Sequence, residues 1–135
     1  MPLSADRALT FETTDHIATK TVAAAVTIYK GALVVSVASG GLVKPAVDET
    51  SSFFYGIAMA GAAAGETVDL ITSGKVWIPK ESNVDGDSIG KALYCHDDAT
   101  CTETGTLGPV IGRCLDVVGS NALIWLGMPA ATAAS

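Results

Sequence analysis

The densest set of reactive side chains in this 135-residue chain is Cys95-His96-Asp97-Asp98, with Cys101 close behind. Thiolate, imidazole and carboxylate are the ligands of a zinc site, and a cysteine beside a histidine is the beginning of an activated nucleophile. The same residues also read as a hairpin. Tyr94-Cys95 ends one strand, His96 to Thr100 makes the loop, and Cys101 starts the return. The turn is the stronger reading, because Asp-Asp-Ala-Thr is ordinary loop chemistry and no second ligand cluster stands elsewhere to complete a site. Across such a hairpin Cys95 and Cys101 would face each other and could oxidise outside a cell, although disulfide geometry is demanding. With Cys114 the cysteines number three, an odd count without zinc-knuckle spacing, so reduced thiols are expected.

Other candidates fail on single residues. Asp85-Gly-Asp-Ser-Ile-Gly90 starts like a calcium loop, but Ile89 stands where a ligand oxygen is needed and His96 where the bidentate glutamate belongs. Gly74-Lys75 and Gly90-Lys91 are not followed by Ser or Thr, so neither cradles a phosphate. His16 stands alone near the N-terminus, and two histidines so placed leave a general base hard to assign. The expectation is a protein that is not an enzyme, with no catalytic residue, cofactor or metal.

The elements that carry these residues are short strands. Candidates are Val26–Tyr29, Ala32–Val37, Leu42–Pro45, Phe53–Ala60, Glu66–Thr72, Lys75–Pro79, Lys91–Cys95, Cys101–Thr104, Val110–Val118 and Asn121–Leu126. Between them lie turn signals such as Ser39-Gly-Gly, Ser73-Gly, Asp85-Gly-Asp and Gly119-Ser-Asn. Ten short strands with tight turns predict an all-β fold, a compact β-barrel of short antiparallel strands over residues 26–128. Residues 1–25 are rich in β-branched side chains and predict an extended N-terminal arm. Residues 129–135 form a short uncharged tail.

Part of the chain echoes itself. Gly31-Ala-Leu-Val-Val, Tyr55-Gly-Ile-Ala-Met and Val68-Asp-Leu-Ile return as Lys91-Ala-Leu-Tyr-Cys, Ile111-Gly-Arg-Cys-Leu and Ala122-Leu-Ile-Trp. The offset shrinks from 60 (Ala32 to Ala92) through 56 (Gly56 to Gly112) to 54 (Val68 to Ala122), as for a second copy with shorter loops. Chance similarity among Ala, Val, Leu and Gly is the competing explanation.

Composition narrows the partners. Apolar residues make up 49% of the chain and charged ones 16%, more apolar surface than a small domain can hide, which predicts burial against other subunits. Ala122-Leu-Ile-Trp-Leu126 is apolar on both faces, so its outer side needs cover from beyond a single small barrel. The net charge of −6 falls wholly on residues 31–135, because three acids and three bases cancel in residues 1–30. An acidic body argues against nucleic acid. The longest run of small residues, Gly56 to Gly65, is about half a bilayer span, and no secretory leader is recognisable, so no membrane partner and synthesis in a cytoplasm are expected.

Several segments carry a resemblance. Thr27-Ile-Tyr-Lys-Gly-Ala-Leu-Val34, Gly40-Gly-Leu-Val-Lys-Pro45, Phe54-Tyr-Gly-Ile-Ala58, Ala64-Gly-Glu-Thr-Val68 and Ser73-Gly-Lys-Val-Trp-Ile-Pro79 come first, followed by Gly90-Lys-Ala-Leu-Tyr94 and Ile111-Gly-Arg-Cys-Leu115. In that order, over about residues 26 to 127, the chain resembles the capsid cement or head decoration proteins of tailed phages. The resemblance implies a virion protein of the outer capsid surface, made in the bacterial host cytoplasm. It implies a homotrimer at local three-fold positions, bound to the major capsid protein and stabilising the expanded head. Leu3, Leu9, Phe11 and Ile17 are then the candidate capsid-binding anchors of the arm, and Trp77, Pro79, Trp125 and Met128 the candidate subunit contacts. The alternatives are another phage component, such as a head-fibre base or tail protein, and a cytoplasmic β-barrel ligand-binding protein or hydrolase built on the Cys95 to Cys101 loop.

Overall fold

The computed structural model describes residues 3–23, 26–37, 41–47, 53–105 and 108–126. Nine strands run in chain order: β1 (Thr10–Val22), β2 (Leu33–Ser36), β3 (Leu42–Pro45), β4 (Phe54–Ala58), β5 (Thr67–Pro79), β6 (Ala92–Cys95), β7 (Cys101–Thr102), β8 (Val110–Val118) and β9 (Asn121–Leu126). One sheet holds them all in the order β1-β3-β2-β4-β5-β9-β8-β6-β7, and β1 also pairs with β5. That last pairing closes the first five strands into a ring. The second set, starting again from β5, is closed by a single bridge between Lys80 and Cys101. The fold is therefore all-β, and the compact barrel expected from the turns takes the form of a sheet ringed in part.

Three expectations are revised. Val26–Tyr29 is not a strand and contributes only an isolated bridge from Ile28 to Ala62. Ser73-Gly74 is not a turn: β5 runs unbroken through it, and Gly74 gives clearance to β1, since a Cβ there would lie 2.3 Å from the Thr13 carbonyl oxygen. The N-terminal segment is extended, but Thr10–Val22 is also a full strand of the sheet, antiparallel to β5 from Thr10↔Trp77 to Thr21↔Thr67. Its threonines and Val22 carry the β-branching that made it extended in the first place.

The echo in the sequence corresponds to a repeat in the pairing. Leu33↔Ile57, Val34↔Gly56 and Val35↔Phe54 in β2–β4 recur as Ala92↔Arg113, Leu93↔Gly112 and Tyr94↔Val110 in β6–β8, with the register shift at the same step. Ile57↔Ile71 and Ala58↔Leu70 recur as Arg113↔Trp125 and Cys114↔Ile124. Ser36↔Val43 recurs as Cys95↔Cys101, and the parallel contact Val22↔Val43 as Lys80↔Cys101. The first segment is thus offset by 59 residues rather than 60, placing Ala32 opposite Lys91 in the repeat; the later offsets of 56 and 54 hold. A one-residue error is what degenerate Ala and Leu matches allow, since only backbone pairing resolves it. Strand β5 serves twice, ending the first unit and opening the second.

The glycine shared by both units shows why the repeat is kept tight. A Cβ on Gly56 would lie 2.5 Å from the Ile71 carbonyl oxygen, and one on Gly112 2.2 Å from that of Trp125, at equivalent positions. Each ring has its own core. Val22, Val34, Val43, Ala58, Val68 and Leu70 fill the first, and Val76, Ile78, Leu93, Cys95, Ile124 and Leu126 belong to the second. Leu33, Val35 and Ile57 face out of the first ring into the second core, so β2 is buried on both faces.

Candidate functional site

The reactive cluster is a hairpin. Cys95 and Cys101 are directly paired across β6–β7, and the Asp97 carboxylate accepts from the N–H groups of Ala99 and Thr100 at 2.9 Å and from the Thr100 hydroxyl at 3.0 Å. Burial pushes the Asp97 carboxyl up, but the hydrogen bonds it accepts, these among them, leave it below the usual carboxylate range. All three cysteines are free and buried, and desolvation raises each thiol, Cys101 to about 12. A thiol so raised is a packing group rather than a nucleophile. Among the described residues no group of three His, Cys, Asp or Glu is placed to hold a metal ion. The Asp85 loop is a single 3-10 turn over Gly86–Ser88, the carboxylate of its N-cap Asp85 accepting from Asp87 N–H and the Asp85 N–H donating to the Ser88 hydroxyl oxygen as in a capping box.

The N-terminal segment is tied down before β1 begins. Arg7 donates to the carbonyls of Gly31, Ala99 and Asp98, Asp98 accepts from Leu3 N–H at 2.8 Å, and Asp6 accepts from Lys30 N–H at 2.8 Å. One guanidinium therefore joins the entry turn of the first unit to the hairpin of the second. Leu9 and Phe11 pack against the second core and Leu3 against the first, whereas Ile17 stays 46% exposed on β1.

Trp77, Pro79 and Trp125 meet on one surface. On β5, Lys75, Trp77 and Pro79 alternate with buried Val76 and Ile78; on β9, Leu123 and Trp125 alternate with buried Ala122, Ile124 and Leu126. Cross-strand pairing sets Lys75 beside Trp125, Trp77 beside Leu123 and Pro79 beside Asn121, while β8 adds Arg113 and Val118. The Lys75 ammonium sits 5.4 Å from the Trp125 ring centre, and Trp77 donates its indole N–H to Glu12 at 3.0 Å. Trp125 is 39% exposed and Val118 60%, and a shallow groove of about 240 Å³ is lined by Thr10, Trp77, Val118 and Asn121. Met128 lies outside the described residues.

The Cys95 to Cys101 cluster is engaged in a turn and in the core, while Trp77 and Trp125 lie on an outward face and His16 is exposed on β1. The sequence matches the family model described as phage cement protein over residues 11–126. The chain belongs to the phage cement protein family. It is a structural protein of the phage capsid, a class that is not enzymatic. No curated protein matches it. The matched span begins at Phe11, inside β1, so the family pattern includes nearly all of that strand. Sequence reasoning did not name Leu123, Arg113 and Val118 as contacts; alternation along β9 could have found Leu123, but Arg113 and Val118 reach the same face only through the register shift between Cys114 and Asp116, which alternation along β8 does not show.

Proposed function

We propose that this cement protein binds the outer surface of an icosahedral tailed-phage head as a homotrimer at three-fold and quasi-three-fold positions and stabilises the expanded shell. The observation that carries the oligomer is the outward face of β5 and β9. Trp77, Leu123 and Trp125 are the kind of large side chains that anchor an interface, Trp125 being 39% exposed and Trp77 and Leu123 half-buried beside it. Trp77, Pro79, Trp125 and Met128 then face a neighbouring subunit. The N-terminal segment turns toward the shell, with Leu3, Leu9 and Phe11 holding it on the body and Ile17 presented outward. Three such attachments on one trimer convert weak contacts into a durable clamp through effective concentration. The acidic body, carrying the whole excess of negative charge, faces solvent.

The test is native mass together with occupancy on expanded, DNA-free heads. The wild-type protein is expected to be a trimer and to saturate the heads. The Trp77→Ala, Trp125→Ala double variant is expected to be a folded monomer with at least about tenfold weaker decoration, since two aromatic anchors commonly carry 2 kcal/mol or more each. A wild-type monomer indifferent to heads overturns the reading, and a double variant that remains trimeric removes the outward face from it.

A further inference from the structure

The two units share every pairing described above, but one edge is filled in the second unit and, among the described residues, open in the first. In the second unit the opening strand is the latter half of β5. One of its edges pairs with β9 and the other with the first half of β1, from Thr10↔Trp77 to Thr14↔Gly74. In the first unit the opening strand is the latter half of β1. One edge pairs with β5, and the opposite edge meets β3 only at Thr21 and Val22. Among the described residues no strand pairs with that edge from Thr10 to Lys20.

The backbone groups on the open edge can be named. Val22 donates its N–H to the Glu66 carbonyl and accepts from Gly65, so it points toward β5. Alternation along an antiparallel ladder then turns Lys20 and Ala18 the same way, and turns the N–H and C=O of Ile17 and Thr19 outward. The β3 side agrees with that phase, since odd-numbered Ala23 donates its N–H to the Val43 carbonyl, and Thr19 donates its hydroxyl to the opposed Asp69 at 2.6 Å. A long strand with an unfilled row of donors and acceptors is a template for another strand.

We infer that the outer edge of β1 at Ile17 and Thr19 accepts an extended segment of the major capsid protein as an added β-strand. The repeat supplies the kind of occupant, because the equivalent edge in the second unit is filled by an extended strand. Among the described residues the element that plays that part, the first half of β1, is already committed to β5, and the capsid-binding reading supplies the occupant from another protein. The inference rests on the capsid-binding reading above and deepens it by naming the contact. Affinity comes from main-chain hydrogen bonds, and exposed Ile17 supplies the side-chain contact beside them.

Hydrogen–deuterium exchange on the wild-type protein, alone and bound to expanded heads, tests this without any mutation. The amides of Ile17 and Thr19 are expected to exchange quickly in the free protein and to be protected on heads. Thr19→Pro removes an outward N–H that the chain's own sheet does not use, a position where an edge strand tolerates proline. It is expected to stay folded and lose about fivefold in affinity for heads, one main-chain bond being worth about 1 kcal/mol. Thr19→Val removes the hydroxyl but keeps the N–H, and is expected to decorate like wild type. Protection already present in the free protein means that this chain itself, in one copy or two, fills the edge, and it overturns the inference. So does wild-type protein that saturates heads with both amides still exchanging, an outcome that leaves capsid binding itself intact. If wild-type protein fails to bind heads at all, the capsid-binding reading falls first.

Discussion

The two units repeat one backbone arrangement while their outward faces carry different chemistry. Where the second unit sets Trp77 beside Leu123, the first sets Thr19 beside Asp69, joined by a hydrogen bond. Where the second has Pro79 and Asn121, the first has Thr21 and Thr67. Lys75 and Trp125 stand where the first has Ile17 and Ile71. The inward positions remain apolar in both, Val34 matching Leu93, Val68 matching Ala122 and Leu70 matching Ile124. Packing restrains the inside, because a core loses stability with each misfit methylene. The outside is free to specialise, and the aromatic residues of the second unit are where it has done so.

The largest expected effect tests whether the two units are structurally equivalent. Gly56→Ala and Gly112→Ala each drive a methyl into a carbonyl oxygen of the adjoining strand, at Ile71 and Trp125. Each is expected to cost about 3 kcal/mol, at the upper end of overpacking, because backbone rather than a flexible side chain must yield. Chemical denaturation of the two variants measures this. Similar losses support equivalence; a tolerated alanine at one site only would show that the match in register conceals a difference in packing.

A smaller effect separates the entry turns. Gly31 and Gly90 both have positive φ, 84° and 90°, and donate to equivalent carbonyls of Ala58 and Cys114. Their surroundings differ: a Cβ on Gly31 would lie 2.6 Å from the Arg7 side chain and 2.8 Å from its carbonyl oxygen, whereas one on Gly90 meets nothing within 4 Å. Gly90→Ala is expected to cost about 1 kcal/mol for the left-handed backbone alone. Gly31→Ala is expected to cost about 1 to 2 kcal/mol more, since the N-terminal segment must shift as well. Denaturation midpoints of both variants, repeated in an Arg7→Ala background, check it. An excess at Gly31 that survives loss of the Arg7 side chain assigns the crowding to the backbone of the segment.

Most strands were legible because alternation and turn residues act locally. β3, β8 and β9 fall where Leu42–Pro45, Val110–Val118 and Asn121–Leu126 predict them. Two features were not legible, and for one reason. Ser73-Gly74 has turn chemistry, yet it stays extended because β1 lies against it, and β1 reads as an arm because its partners on β5 are 46 to 67 residues away. Long-range pairing overrides local propensity at both places. The surface residues Trp77, Pro79 and Trp125 were chosen for size and strand context, and which side of the sheet they occupy came only from knowing that β5 and β9 are neighbours. The Cys95 to Cys101 hairpin was readable because its chemistry is contained within the turn.

The smallest effect concerns the link between the units. Asp97 and Asp98 are adjacent in the hairpin that Arg7 ties to Gly31, and burial acts on them with opposite results. For Asp98 desolvation dominates, and the bond from Leu3 N–H and the charge of Arg7 do not offset it, so its carboxyl is held above the usual range. For Asp97 the hydrogen bonds prevail. A carboxyl whose folded value is raised binds its proton more tightly in the folded chain, so ionised Asp98 weakens the fold at neutral pH. That penalty disappears as pH falls through the raised value toward 3.8, the unfolded reference. Asp97 behaves in the reverse sense: its contribution is present above 3.8 and is lost as pH falls through its lowered value. Asp98→Asn keeps an oxygen for Leu3 while removing the charge, and is expected to raise the denaturation midpoint slightly at pH 7, with the gain over wild type closing toward pH 4. A gain that persists unchanged to pH 4 would mean that it does not come from removing a buried charge, and that burial in the hairpin does not hold the Asp98 carboxyl above its usual range.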